Sequence, residues 1–256
     1  MITLTSGQLN AWISLMVWPL ARILALIASA PITGNQQFPV AAKIGLAVLI
    51  TALVAPTLPA PAATDPGSAE GLMLLARETL IGLGMGLAIR LVFAGVGMAG
   101  DIIGLQMGLG FAQFYDPQSN TQVPVLGQFL GLLATLAFLS LNGHLLMIAT
   151  LVETFSAVPS SAGDWMLLVK SGGVIMHTAV LLSLPLLATL LVTNAALGVL
   201  TRAAPQLNIF AIGFPVTIII GFIALLLTLP YCVPVFERIF GQALETMLHF
   251  AAGNPV

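Results

Sequence analysis

The stretch GDIIGLQMGLGFAQFYDPQSNTQVP, residues 100–124, packs four glycines, two prolines and two acids into the middle of a very apolar chain. Proline disfavours helical backbone at the residue before it, so Asp116-Pro117 takes the chain out of helix. The amides and hydroxyls from Gln118 to Gln122 then require water or polar partners. Upstream, GLGFAQFY sets Phe111, Phe114 and Tyr115 on a glycine-hinged backbone. Whether this stretch is helix, outer loop or an inserted element depends on what surrounds it.

The surroundings are decisive about class. Of 256 residues, 59% are hydrophobic and 6% are charged, and the mean hydropathy is +1.08. So few charges cannot cover a globule of this size, which places much of the surface against lipid or apolar protein. Residues 117–152, 171–201 and 203–236 carry no formal charge, and each exceeds the ~20 residues that cross a bilayer as a helix. A barrel would alternate apolar and polar residues, and these runs do not. The fold class is an all-α integral membrane protein.

Six apolar segments follow, at 9–31, 40–58, 71–99, 125–152, 172–200 and 209–235. The first has no basic leader and is interrupted by Arg22, so it reads as a retained helix rather than a cleaved signal. Pro39 stands where it can start the second helix. The proline-rich 56–71 reads as a solvated linker, and 156–164 and 201–208 as short connections. The chain thus looks like a single membrane domain. Lys43 and Arg202 mark two connections and the acids Asp65, Glu70, Glu153 and Asp164 mark others. With six crossings, the positive-inside tendency puts both termini outside. Pro19, Pro185 and Pro215 fall within segments and are expected to kink or interrupt them.

Residues 82–110 hold nine glycines. Glu78, Gly82, Gly86, Arg90 and Ala94 recur every fourth residue, as do Gly100, Gly104 and Gly108. Residues four apart share a helix face, so both rows offer bare backbone for close helix packing, within the chain or between chains. Arg22, Glu78, Arg90 and Asp101 are charges within or beside apolar segments, each costly in hydrocarbon. Arg90 and Asp101 would lie about 16 Å apart along a straight helix and cannot pair. A proton or ion relay, interchain contacts and snorkelling at segment ends all remain open for these charges.

Enzymatic signatures are weak. His144, His177 and His249 fall in different segments without metal-ligand spacing, and Ser140 near His144 has no acid to orient a base. Cys232 is the one cysteine, so no disulfide forms within the chain. A net charge of −2 gives no nucleic-acid footprint. A small secondary transporter would account for kinked helices and buried charges, but no inverted repeat is visible.

Three long stretches together resemble one family: RILALIASAPITG, the run RETLIGLGMGLAIRLVFAGVGMAGDIIGLQMGLGFAQFYDPQSNTQVPVLGQFLGLLATLAFLSLNGHLLMI, and LPLLATLLVTNAALGVLTRAAPQLNIFAIGFPVTIIIG. They look like FliR, a flagellar biosynthetic protein family of the type III export gate. Injectisome gates have a relative of similar pattern. The resemblance implies no catalysis and no cofactor. It implies one subunit assembled with FliP and FliQ, with FlhB and FlhA adjoining, and unfolded flagellar proteins as cargo. The implied place is the bacterial inner membrane at the flagellar basal body, projecting partly toward the periplasm.

The same resemblance implies a FliP-like part over about 1–179, a FliQ-like hairpin over about 180–240, and a short tail at 241–256. Arg202, Pro205, Gln206 and Asn208 would form the hairpin tip. Gln106, Met107, Gly110, Phe111, Phe114, Tyr115, Asp116 and Pro117 become candidates for a channel plug. Such assemblies stand partly outside the bilayer, so not every apolar segment need cross lipid.

Overall fold

The computed structural model describes residues 6–35, 37–58, 64–110, 124–156, 163–204 and 209–253, with side chains from 15 in the first helix and from 212 in the last. The described residues form helices α1 (Ser6–Ser29), α2 (Val40–Val54), α3 (Ala69–Gln106), α4 (Val125–Ser140), α5 (Gly143–Ser156), α6 (Trp165–Ala203) and α7 (Ile209–Ala252), with no strand among them.

Several helix starts have visible local causes. Pro39 and Pro124 stand at the N-caps of α2 and α4, where a missing N–H costs nothing. Before α3, the Gly67 N–H donates to Asp65 Oδ1 at 3.0 Å, and the Gly71 N–H donates to Ser68 Oγ at 3.0 Å. Asp164 caps α6, its Oδ1 accepting from the Met166 and Leu167 N–H groups at 3.1 and 3.2 Å. Hydroxyls inside the helices are satisfied by the preceding turn, as when Thr51 Oγ1 donates to the Ala47 carbonyl at 2.7 Å.

The helices correct the expected segments. The third runs on to Gln106, through its glycines and Asp101. The fourth breaks into α4 and α5 at Leu141–Asn142, where Asn142 takes a left-handed φ of 56°. Asparagine tolerates that conformation, and its carbonyl accepts from the Leu145 and Leu146 N–H groups to open α5. The sixth continues to Ala252. Its charged end is amphipathic, with Phe240, Ala243, Met247 and Phe250 buried at intervals of four and three residues. Neither Pro19 nor Pro185 nor Pro215 interrupts its helix. An unwound segment in apolar surroundings would strand many backbone groups, whereas one proline strands few.

Among the described residues, four stretches are long and apolar enough to cross a membrane: Val40–Thr57, Ala69–Gln106, Trp165–Ala203 and Ile212–Ala252. A broken span made of α4 and α5 would be a fifth, and α1 contributes a shorter apolar stretch, Leu15–Ser29. The described residues thus supply four or five of the six expected crossings, with α1 the remaining apolar helix.

The chain divides into two compact units. The first comprises residues 1–91, 142–172 and 240–256, and buries Ile23, Leu26, Ile81, Met85, Leu151 and Met247. The second comprises 92–141 and 173–239, and buries Val96, Ile103, Met107, Ala134, Leu186 and Leu190. In the second, Phe93 meets Phe138 edge to face, with ring centroids 5.7 Å apart. Outside these interiors large apolar side chains stand open, among them Met73, Val169, Val192 and Leu226 at about seven-tenths exposure.

Candidate functional site

Helix α3 organises what the sequence marked as functional, and each of its glycine rows meets a specific neighbour. In the first unit, a Cβ added at Gly82 would strike the Arg22 carbonyl and Ala25 of α1. One at Gly86 would strike Ser29 and the Ala30 N–H. Gly84, on another face, receives the ring of Phe250 from α7, which also rests on Gly163 and meets Trp165 edge to face at 5.2 Å. The Phe250 carbonyl accepts from the Asp164 N–H at 3.1 Å, so the end of α7 is tied to the start of α6.

The second row divides. In the second unit Gly100 lies against Leu126 and the Gly127 backbone of α4, and Gly127 in turn leaves no room beside Asp101 Oδ1. Gly104, in the same register, has only Leu126 side-chain atoms at 3.8 Å from its Cβ position, ordinary van der Waals contact. Gly108 lies outside the helix. It follows the end of α3 with φ 82°, where its left-handed backbone turns the chain.

The charges separate equally clearly. Arg22 and Glu78 are both buried and satisfy each other inside the chain. Arg22 Nε donates to Glu78 Oε2 at 2.6 Å and Arg22 NH2 donates to Oε1 at 3.0 Å. Arg22 NH1 donates to Thr154 Oγ1 at 3.0 Å, and the guanidinium lies 4.2 Å from the centre of the Phe155 ring. Bidentate geometry with added hydrogen bonds is what a buried ion pair needs to offset desolvation. Of the readings open for these charges, a partner on another helix of the same chain is the one found for these two. Thr154 and Phe155 were not singled out by sequence. Thr154 completes the site from 132 residues beyond Arg22 in the chain, with Phe155 beside it, and no local pattern marks them.

Arg90 is exposed rather than buried, and among the described residues it has no hydrogen bond or ion pair. Asp101 is half-buried, and its Oδ1 has no hydrogen-bond partner. Arg202 is exposed in the last turn of α6, whereas Pro205, Gln206 and Asn208 of the expected hairpin tip lie outside the described residues.

Of the plug candidates, Met107 is buried and packs over Gly221 of α7. Gln106 closes α3 and is half-buried, and Gly110 has only a Leu105 methyl near its Cβ position. Phe111, Phe114, Tyr115, Asp116 and Pro117 lie outside the described residues. The described His, Cys, Asp and Glu residues form no group of three able to hold a metal ion.

Comparison with known proteins gives this arrangement its context. The family described as bacterial export proteins, family 1, matches residues 13–243. The flagellar biosynthetic protein FliR of Pectobacterium carotovorum is 42% identical over 252 residues, covering 96% of each chain. The protein of the same name from Escherichia coli K12 is 41% identical over 261 aligned positions, covering 100% of each chain. FliR of Bacillus subtilis is 32% identical over 240 residues, covering 90% of this chain and 92% of its own. Matched along nearly its whole length, this all-helical chain belongs to the bacterial export proteins of family 1, the FliR family.

Proposed function

We propose that this chain is a structural subunit of the flagellar type III export gate, forming with FliP and FliQ the channel through which unfolded flagellar proteins leave the cytoplasm. FlhB and FlhA are its further neighbours in this reading. The observation that carries it is the end-to-end match to proteins named flagellar biosynthetic protein FliR, 41% identical across the full length of one of them.

The structure supports such a role physically. Its close-packed interiors are glycine-seamed and its outer helix faces are apolar, which suits a subunit covered by lipid and by other membrane helices. The place is the inner membrane at the flagellar basal body; counting α1 as a sixth crossing puts Lys43 and Arg202 on the cytoplasmic side and both termini outside. Deleting the gene and restoring it on a plasmid tests the reading. Loss of both motility and secretion of flagellar subunits, recovered together by the wild-type gene, is the expected result. Normal secretion in the deletion strain contradicts it.

A further inference from the structure

One face of α3 is spaced for a partner that the chain itself does not supply. Met73, Ala76, Leu80, Leu83, Leu87 and Arg90 follow one another at intervals of three and four residues, and all six are exposed. That alternation is the a/d spacing of a helix–helix seam, in which each side chain inserts between residues of a facing helix. The opposite side of α3 is already occupied, because Glu78, Gly82 and Gly86 face α1 and Ile81, Met85 and Ile89 are buried. Leu80, Leu83 and Leu87 nevertheless stand 39–40% exposed.

Arg90 says what the seam should meet. Any stretch of ~20 residues of α3 placed in hydrocarbon takes in Arg90, or else both Arg77 and Glu78. Arg90 is followed by 16 further residues of α3 and preceded by 21, so it lies about 24 Å and 31 Å from the two ends of the helix. An unpaired guanidinium on an apolar stripe, well inside a long helix, is costly in lipid. It becomes favourable when a facing helix brings a carboxylate to the same level, and a single polar position in such a seam also sets its register.

Among the described carboxylates, Glu78 is committed to Arg22, Asp65, Glu70, Glu153 and Asp164 lie at or beyond helix ends, and neither these nor Asp101, Glu237 and Glu245 form an ion pair with Arg90.

We propose that the α3 face from Met73 to Arg90 docks an apolar helix of a different subunit, which carries one Asp or Glu opposite Arg90. The identity of that subunit as an export component rests on the gate reading above; the seam itself does not.

The test uses the full chain in cells carrying the complete export apparatus, with a photoreactive residue introduced at Leu83 or at Leu87. The expected result is an adduct to one other polypeptide, whose cross-linked peptide maps to an apolar segment containing an Asp or Glu. Arg90→Glu should lower that adduct by at least about tenfold, as loss of a buried charge pair across an interface does. Arg90→Lys should retain it, and replacing the partner's carboxylate by arginine should restore it in Arg90→Glu. The amount of membrane-inserted chain is measured alongside; if Arg90→Glu lowers it, Arg90→Gln is read instead with the same expectation. Adducts to lipid alone, adducts to a second copy of this chain, or an adduct undiminished by the charge change would overturn the proposal. A captured partner outside the export apparatus that obeys the charge swap leaves the seam standing and removes the gate reading. Co-purifying export components without an adduct at either position do the reverse.

Discussion

Arg22 of α1 and Glu78 of α3 meet fork to fork, at 2.6 and 3.0 Å, inside the first unit and out of reach of solvent. The pair joins two helices, and its hydrogen bond to Thr154 recruits a third, α5. Breaking one side of such a pair strands the other charge in the interior, at a cost of about 3–5 kcal/mol. Glu78→Gln and Arg22→Met should therefore each sharply lower the thermal midpoint of the detergent-solubilised complex that contains this chain. The double variant Arg22→Met with Glu78→Leu, which buries no charge, should recover most of the loss. Thermal scans of the three variants beside wild type check this, and a double variant no better than the singles would refute it.

Close approach of α3 to α1 predicts a contrast between two glycines of the first unit. Gly82→Ala drives a methyl into the Arg22 carbonyl, and overpacking of that kind costs about 1–3 kcal/mol. Gly241→Ala in α7 meets nothing within 4 Å and should stabilise by about 0.5–1 kcal/mol, because alanine loses less backbone freedom in a helix. The yield and melting of the two variants should move in opposite directions.

The second unit offers the same contrast within one helix row. Gly100→Ala should be destabilising, since its methyl would enter the Gly127 backbone, while Gly104→Ala should fold normally against the Leu126 side chain 3.8 Å away. Equal behaviour of these two variants in a melting experiment would show that α3 and α4 do not approach as described.

The end of α7 is held by one ring. Phe250 is fully buried among Gly84, Gly163 and Trp165, so Phe250→Ala should cost about 3–5 kcal/mol through the cavity it leaves. Limited proteolysis should then cut the C-terminal end of α7 at protease levels that leave wild type intact.

These contrasts mark what could and could not be seen in the sequence. The helical membrane class follows from composition and from uncharged runs longer than a bilayer crossing, and the start of α2 follows from Pro39. The glycine rows are visible as spacing, but Gly100 and Gly104 are equivalent in that spacing. Only the path of α4 makes one crowded and the other open. Arg22 and Glu78 each look isolated because their partner lies 56 residues away, and spacing along one helix cannot reveal a contact between two. The prolines drew attention as breaks, yet the break in the fourth segment falls at Asn142, whose side chain permits a left-handed turn that proline cannot take. The charges Glu237 and Arg238 ended the apparent last segment, although they occupy the outer face of a helix whose inner face remains apolar.

The central claim is that this chain works as one subunit of an export gate rather than alone. The most direct measurement is the intact mass of the assembly recovered from membranes through a tag on this chain, with FliP and FliQ present at native levels. A single heteromeric mass containing both FliP and FliQ is the predicted result, with the chain unstable when they are absent. A monodisperse, thermally robust species composed of this chain alone would contradict it.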